Sequence, residues 1–276
     1  VGFFDFLHFL IFVNLPIKEN ATTMAGHSKW ANIKHRKGAQ DKKRAKQFTR
    51  AIKEINVAVK EGGGPDPEAN STLRNAISNA KGVNMPKDTI ERAIKKASGA
   101  DADNYELVTF EGYGPNGIAF FIECTTDNTN RTVASVRSTF SKNGGNLGTN
   151  GSLEFLFDKK GVFTIEREKI EMNLEEFELE LIEGGASTIE KEKDYITIYT
   201  DFNDFGLMSS KLEALKTEVK SSEVQRIPLN TVKLPVEDAK KILNLVEKFE
   251  DDDDVQNVYH NMEITDELIE EMQQED

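Results

Sequence analysis

Lys42, Lys46, Arg50 and Lys53 follow one another at intervals of four, four and three residues, in a stretch dense with positive charge. On a helix turning about 100° per residue they fall on a single stripe. A row of cations along a helix suits phosphate: ammonium groups act as point charges, and a guanidinium forks onto two oxygens of a nucleic-acid backbone. Upstream, Lys29, Lys34, Arg36 and Lys37 extend the positive field, while Lys43 and Arg44 thicken it. These ten side chains are the candidate nucleic-acid contacts. Between residues 24 and 60 there are eleven Lys/Arg against two acids, Asp41 and Glu54, a local charge of +9 in a chain of net charge −13. A solvated face normally mixes its signs. This one hardly does, and the segregation points to a polyanion as partner. Trp30, the single tryptophan, either stacks on a base or packs with Ile33 against the helices. His27 and His35 lie among the cations, where they could touch phosphate.

Other residues that could do chemistry point elsewhere. No Cys or further His stands at ligand spacing near the two histidines, so no metal site is expected there. The one cysteine, Cys124, excludes an intrachain disulfide and a cysteine-based cluster; in the apolar run 118–124 it reads as a buried, inert thiol. Gly112-Tyr-Gly-Pro-Asn-Gly117 matches the glycine pattern of dinucleotide-binding turns, which requires a helix to follow. Here Pro115 intervenes and Ile118-Ala-Phe-Phe-Ile122 is strand-like, so the glycines mark a turn between two strands. The glycine-rich run 144–151 lacks the Gly-Lys-Ser/Thr ending of a phosphate loop. Asp251-Asp-Asp-Asp254 reads as a solvated acidic turn, because calcium loops alternate their ligands around an obligatory glycine. Without a metal cluster, a phosphate loop or a nucleophile motif, neither catalytic residues nor a cofactor is expected, and the chain reads as a non-enzyme.

Elements must hold the cations in place. A helix over 40–60 puts Phe48, Ile52, Ile55 and Val59 on an apolar stripe roughly 145° from the cationic one. The cations are thus expected to stay outside, where their charge could be reversed without touching the core. Gly62-Gly-Gly-Pro65 stops that helix. A second is expected to start with Asp66 as N-cap and Pro67 in its first turn, and to end at Gly82; a third should run from Pro86 to Gly99. Residues 24–96 carry +10 and residues 97–276 carry −22, so a basic helical module is joined to an acidic body.

In the body, paired strands flank the 112–117 turn, a helix covers 128–143, and a strand spans 152–157. From Gly161 the predicted order is strand (162–166), helix (174–182), strand (187–192), strand (195–200), helix (205–217), strand (222–228), the βαββαβ order of a ferredoxin-like unit. A helix over 236–249 and a strand over 255–260 follow, and 264–276 forms a short acidic helix or is disordered. Residues 1–23 differ from everything after them. Their apolar part, 3–13, is broken by Asp5 and His8, is shorter than the roughly 20 residues of a membrane span, and lacks the basic flank of a targeting peptide. Met24 reads as the start proper and 1–23 as an upstream extension.

Several stretches together resemble the YebC/PmpR family. They are Ala25-Gly-His-Ser-Lys-Trp-Ala-Asn-Ile-Lys-His-Arg-Lys37, Asn84-Met-Pro-Lys-Asp88 with Ile90-Glu-Arg-Ala-Ile-Lys95, Glu111-Gly-Tyr-Gly-Pro115, Thr126-Asp-Asn128 with Asn130-Arg-Thr132, Ser141-Lys-Asn-Gly-Gly-Asn-Leu-Gly148, and Asp252-Asp-Asp-Val-Gln-Asn-Val-Tyr-His-Asn261. The resemblance runs from Met24 to about Asn261. It implies an α+β multidomain protein: an N-terminal three-helix domain plus two α/β domains, one ferredoxin-like and inserted in the other. On this sequence that means a basic helical domain over 24–103, a discontinuous α/β domain over 104–158 and 230–263, and an inserted ferredoxin-like domain over 159–229; the acidic tail over 264–276, like residues 1–23, departs from the family pattern. It also implies a cytoplasmic, non-enzymatic regulator. Family members are described as DNA-binding transcriptional regulators, and others resemble ribosome-associated activators of translation. Two partners therefore stay open: DNA, or ribosomal RNA with basic ribosomal proteins meeting the acidic domains. No membrane is implied.

Overall fold

The computed structural model of the chain describes residues 40–99 and 102–274, the side chains of 40–43, 273 and 274 excepted. The first segments, 1–39, including the expected extension and Trp30, lie outside the described residues.

Among the described residues three helices form the first unit: α1 (Gln40–Glu61), α2 (Ser71–Gly82) and α3 (Lys87–Ala97). Ile55 and Val59 of α1 are buried as their spacing requires, against Leu73, Ala76 and Ala80 of α2 and Ile90 and Ala97 of α3; Phe48 and Ile52 pack at the edge of the same cluster. The expected start of α2 is corrected. Asp66 shapes only a turn, its carboxylate accepting from Glu68 N–H at 3.0 Å. The N-cap is Asn70, which accepts from Leu73 N–H at 2.9 Å and donates to the carbonyls of Ala58 and Gly64, both at 2.8 Å. One buried amide thereby caps α2 and satisfies the end of α1, which Asp66 is too far upstream to do.

Two four-stranded antiparallel sheets make up the rest. The first has the order β3 (Asn146–Leu147), β1 (Glu106–Tyr113), β2 (Ala119–Thr126), β8 (Val255–His260). On one of its faces lie α4 (Thr129–Lys142), α7 (Val236–Glu250) and α8 (Asp266–Gln274). β2 is apolar from Ala119 to Ile122 because both faces are covered there: Phe120, Ile122 and also Cys124 point into the helical layer, while Ala119 and Phe121 pack with Leu153 and Phe157 on the other side. Ile264, Leu268 and Ile269 are buried in the cluster of α7, so α8 and the residues leading into it pack on this core rather than forming a free acidic tail.

The second sheet has the order β5 (Ala186–Lys191), β6 (Tyr195–Asp201), β4 (Phe157–Glu166), β7 (Val219–Pro228), covered on one face by α5 (Leu174–Glu183) and α6 (Phe205–Ala214). The strand–helix–strand–strand–helix–strand order read from the sequence is present. Its first strand is corrected: residues 154–156 form a 3-10 turn, and β4 runs unbroken from Phe157 through Gly161. Gly161 marks close approach, since a Cβ there would meet Phe205.

The glycine-rich segments serve the first sheet. Pro115–Gly117 is a 3-10 turn with positive φ at Asn116 and Gly117, and β2 follows it where a dinucleotide site would need a helix. Glu111 is 2% exposed, and its carboxylate accepts from Gly151 N–H at 2.6 Å and from Leu153 N–H, folding the 144–153 loop back over β1.

Candidate nucleic-acid interface

α1 presents its cations to another part of the same chain. Lys46 pairs with the carboxylate of Asp251 and donates to the carbonyl of Glu250 at 3.4 Å. Arg50 donates from Nη2 to that same carbonyl at 3.2 Å. Lys53 donates to the carbonyls of Thr125 at 2.9 Å and Asp253 at 2.7 Å and to Asp254 Oδ1 at 3.0 Å. An ammonium has three hydrogens, and these three acceptors take them all. The acceptors come from the C-terminal end of α7, where the helix dipole is negative, from the acidic turn after it, and from the end of β2.

Two expectations are corrected. The stripe is not wholly outside, because Lys53 is only 5% exposed. Reversing all four charges would therefore set a carboxylate at position 53 against Asp254. Nor is the 251–254 turn simply solvated, because Asp254 is 6% exposed and is the hub of the docking. Its Oδ2 accepts from Arg131 Nη2 at 2.6 Å, Thr132 Oγ1 at 2.9 Å and Thr126 Oγ1 at 3.1 Å. Burial alone would push this carboxyl up; the hydrogen bonds from Arg131, Lys53 and Thr132 outweigh that and hold it at about 2. Asp252 accepts from Ser135 of α4 at 2.5 Å and, through Oδ1, from Asp254 N–H at 3.0 Å.

Of the remaining candidates, Arg44 is exposed and lies over the Phe48 ring, 5.4 Å from its centroid. Lys42 and Lys43 lie within α1, with side chains that are not among those described. Lys29, Lys34, Arg36 and Lys37 lie outside the described residues, as do His27 and His35. The structure thus brings Lys46, Arg50 and Lys53 together on one turn and leaves Arg44 facing solvent.

Sequence reasoning missed Asp254, Arg131, Thr126 and Thr132 as a constellation. A signal existed: the stretches 126–128, 130–132 and 252–261 all carry the family resemblance, and all converge on the Asp254 carboxylate. Also missed was a second fastening of the helical unit. Asn79 of α2 accepts from Ser222 N–H and donates to Ser222 C=O, each at 2.9 Å, so one side-chain amide pairs with β7, an edge of the second sheet, as a neighbouring strand would. Arg226 of β7 in turn bonds Glu123 of β2 at 3.0 Å and stacks on Phe121 at 3.7 Å. Cys124 is fully buried and its thiol is pushed up to about 12, chiefly by desolvation, which makes it inert at neutral pH. Among the described residues no cluster of His, Cys, Asp or Glu is arranged to hold a metal ion, and no helix is long and apolar enough to cross a membrane.

Fold and site together define a mixed α/β protein in which a cationic helix is docked on an acidic turn. The chain belongs to the TACO1/YebC family: residues 28–100 match that family's N-terminal domain and residues 105–262 its second and third domains. A relative from Amoebophilus asiaticus is 52% identical over 241 residues, covering 87% of this chain and 98% of its own length. Another, from Bacillus licheniformis, is 50% identical over 240 residues, covering 87% of this chain and all of its own. Both are described as probable transcriptional regulatory proteins. The crystal structure of a conserved hypothetical protein from Aquifex aeolicus is similar at a TM-score of 0.76 and 40% identity, over 87% of this chain and 99% of that one.

Proposed function

We propose that this chain is a non-enzymatic, cytoplasmic regulator of gene expression that binds DNA through its basic N-terminal domain. The observation that carries the reading is the segregation of charge, +10 over residues 24–96 against −22 over residues 97–276. The description of its relatives as probable transcriptional regulatory proteins supports it. In this reading the three units are three domains, with a ferredoxin-like domain inserted between the two parts of the first α/β domain. The solvent-facing Arg44 makes the first contact, together with Lys42, Lys43, Lys29, Lys34, Arg36 and Lys37. Phosphate contacts of this kind position a protein without reading bases.

The acidic body favours a second reading, a translation factor whose basic domain meets ribosomal RNA while its acidic domains meet basic ribosomal proteins. A bare duplex repels a body of −22, whereas a ribosome offers both signs. The test is the affinity of the intact protein for duplex DNA and for purified ribosomes at one salt concentration, beside a variant carrying Arg36→Glu, Lys37→Glu and Arg44→Glu. Binding to duplex that the triple variant loses supports the first reading. Binding to ribosomes alone favours the second, and retention of full affinity by the variant overturns both.

A further inference from the structure

The basic stripe has two parts with different access to solvent. Lys53 and Asp254 form the inner one, with side chains 7% and 9% exposed. Lys46 and Asp251 form the outer one, at 24% and 67%, and half-buried Arg50 shares the Glu250 carbonyl with Lys46. The acceptors on the outer part are a carboxylate and the carbonyl at a helix C-terminus, the negative groups an intramolecular stand-in for phosphate would offer. Ions approaching from solvent can compete for the outer pair, whereas the inner pair is sealed between α1, β2 and the turn.

We propose that the 250–254 turn is an intramolecular cover for the α1 stripe, and that nucleic acid binds α1 by displacing Asp251 and the Glu250 carbonyl from Lys46 and Arg50. The proposal rests on the nucleic-acid reading and adds a regulation to it. The free protein holds part of its cationic surface against its own acidic body, so its affinity is lower than its cations alone would give. Phosphates that reach Arg44 first lie beside Lys46 on the same helix and exchange with the turn. Lys53 stays on Asp254 throughout, and the helical unit remains fastened by that pair and by Asn79 on β7. Because the outer contact is an exposed ion pair, added salt weakens the cover as well as the nucleic-acid contact.

The experiment locks the cover shut. Lys46→Cys and Asp251→Cys, joined by a short bismaleimide, tie α1 to the turn; Cys124 is buried and does not compete for the reagent. Bridged and unbridged forms of this one variant are compared for binding to a duplex DNA of a few turns, with thermal unfolding as the check that both are folded. Both forms lack the Lys46 cation and the Asp251 carboxylate, so bridging reads access to Arg50 under the Glu250 carbonyl. It is expected to weaken binding by about threefold and to lower the salt slope by about 0.9, the value for one phosphate that is no longer neutralised. In a parallel arm Asp251→Asn, in an otherwise unchanged full chain, should bind about threefold tighter. Glu213→Gln, the same charge change at an exposed position on α6, should bind as the parent does. If the bridged form binds as well as the unbridged one, or Asp251→Asn binds no more tightly than the parent, the cover does not compete; that overturns this inference and leaves the nucleic-acid reading standing on the other cations. If no form binds duplex or a structured RNA, the nucleic-acid reading falls, and the cover with it.

Discussion

Asp254 ties together more of this fold than its position in an acidic run would suggest. Lys53, Arg131, Thr126 and Thr132 all bond it, and they come from α1, β2 and α4. Asp254→Asn keeps an acceptor there but leaves the Lys53 ammonium buried without a counter-charge, an arrangement that costs about 3 kcal/mol or more. Urea unfolding of the variant checks this, and a loss below about 1 kcal/mol would show that the hub is not sealed. The same carboxyl sets an acid limit. Its folded pKa of about 2 lies below its ordinary value, so its contribution is complete above the unfolded pKa and is lost as pH falls through the folded one. The expected outcome is a stability decline between about pH 4 and pH 2, of which Asp254 accounts for about 2 kcal/mol. The Asp254→Asn variant should show a shallower decline over that interval when both proteins are titrated under the same urea conditions.

Among the elements, α2 comes very close to β7. Its last residue, Gly82, lies so close to β7 that a methyl group would run into the Lys220 carbonyl. Gly82→Ala must therefore part the helix from the strand, even though alanine is the better helix former by about 1 kcal/mol. The predicted result is a lower melting temperature and faster amide exchange at Ser222, whose N–H is held by Asn79. Unchanged exchange there would mean that the helix end shifts without loosening the docking. Asn79→Ala should speed exchange at Ser222 as well, while leaving α2 intact, because the cap of that helix is Asn70. Neither contact was legible in the sequence. Leu73, Ile77 and Ala80 stand at the spacing of an inward-facing helix side, but Asn79 looks like any polar surface residue until an edge strand lies against it. The apolar run of β2 was legible as a strand, and so was Val255–His260, because period and β-branched content are local properties.

Across the whole molecule, charge that is segregated along the sequence is partly brought back together by the fold. The basic helix and the acidic turn are about two hundred residues apart in the chain, and ion pairs and hydrogen bonds join them. If that contact is salt-sensitive at its rim and sealed at its centre, increasing salt should raise the accessibility of residue 46 without melting the protein. Acetylation of Lys46 in the unaltered protein, read by mass spectrometry at low and high salt, tests this. Labelling that does not change with salt would show that the rim contributes nothing to the docking, as is the case for many exposed ion pairs.

By itself the sequence determined the helical character of α1, the segregation of charge, the order of helices and strands over 162–260, and the family. Each of these rests on neighbours along the chain: periodicity, net charge over a window, and motif spacing. Only the tertiary structure decided what the cations touch. A lysine on a polar stripe has the same local pattern whether it faces water, a phosphate or a carboxylate. The acceptors that take all three hydrogens of Lys53 come from residues 125, 253 and 254, and nothing near residue 53 in the sequence encodes them. The acidic turn was opaque for the same reason, since four successive aspartates read as solvent-facing until a buried cation, an arginine and two threonine hydroxyls close around the last of them.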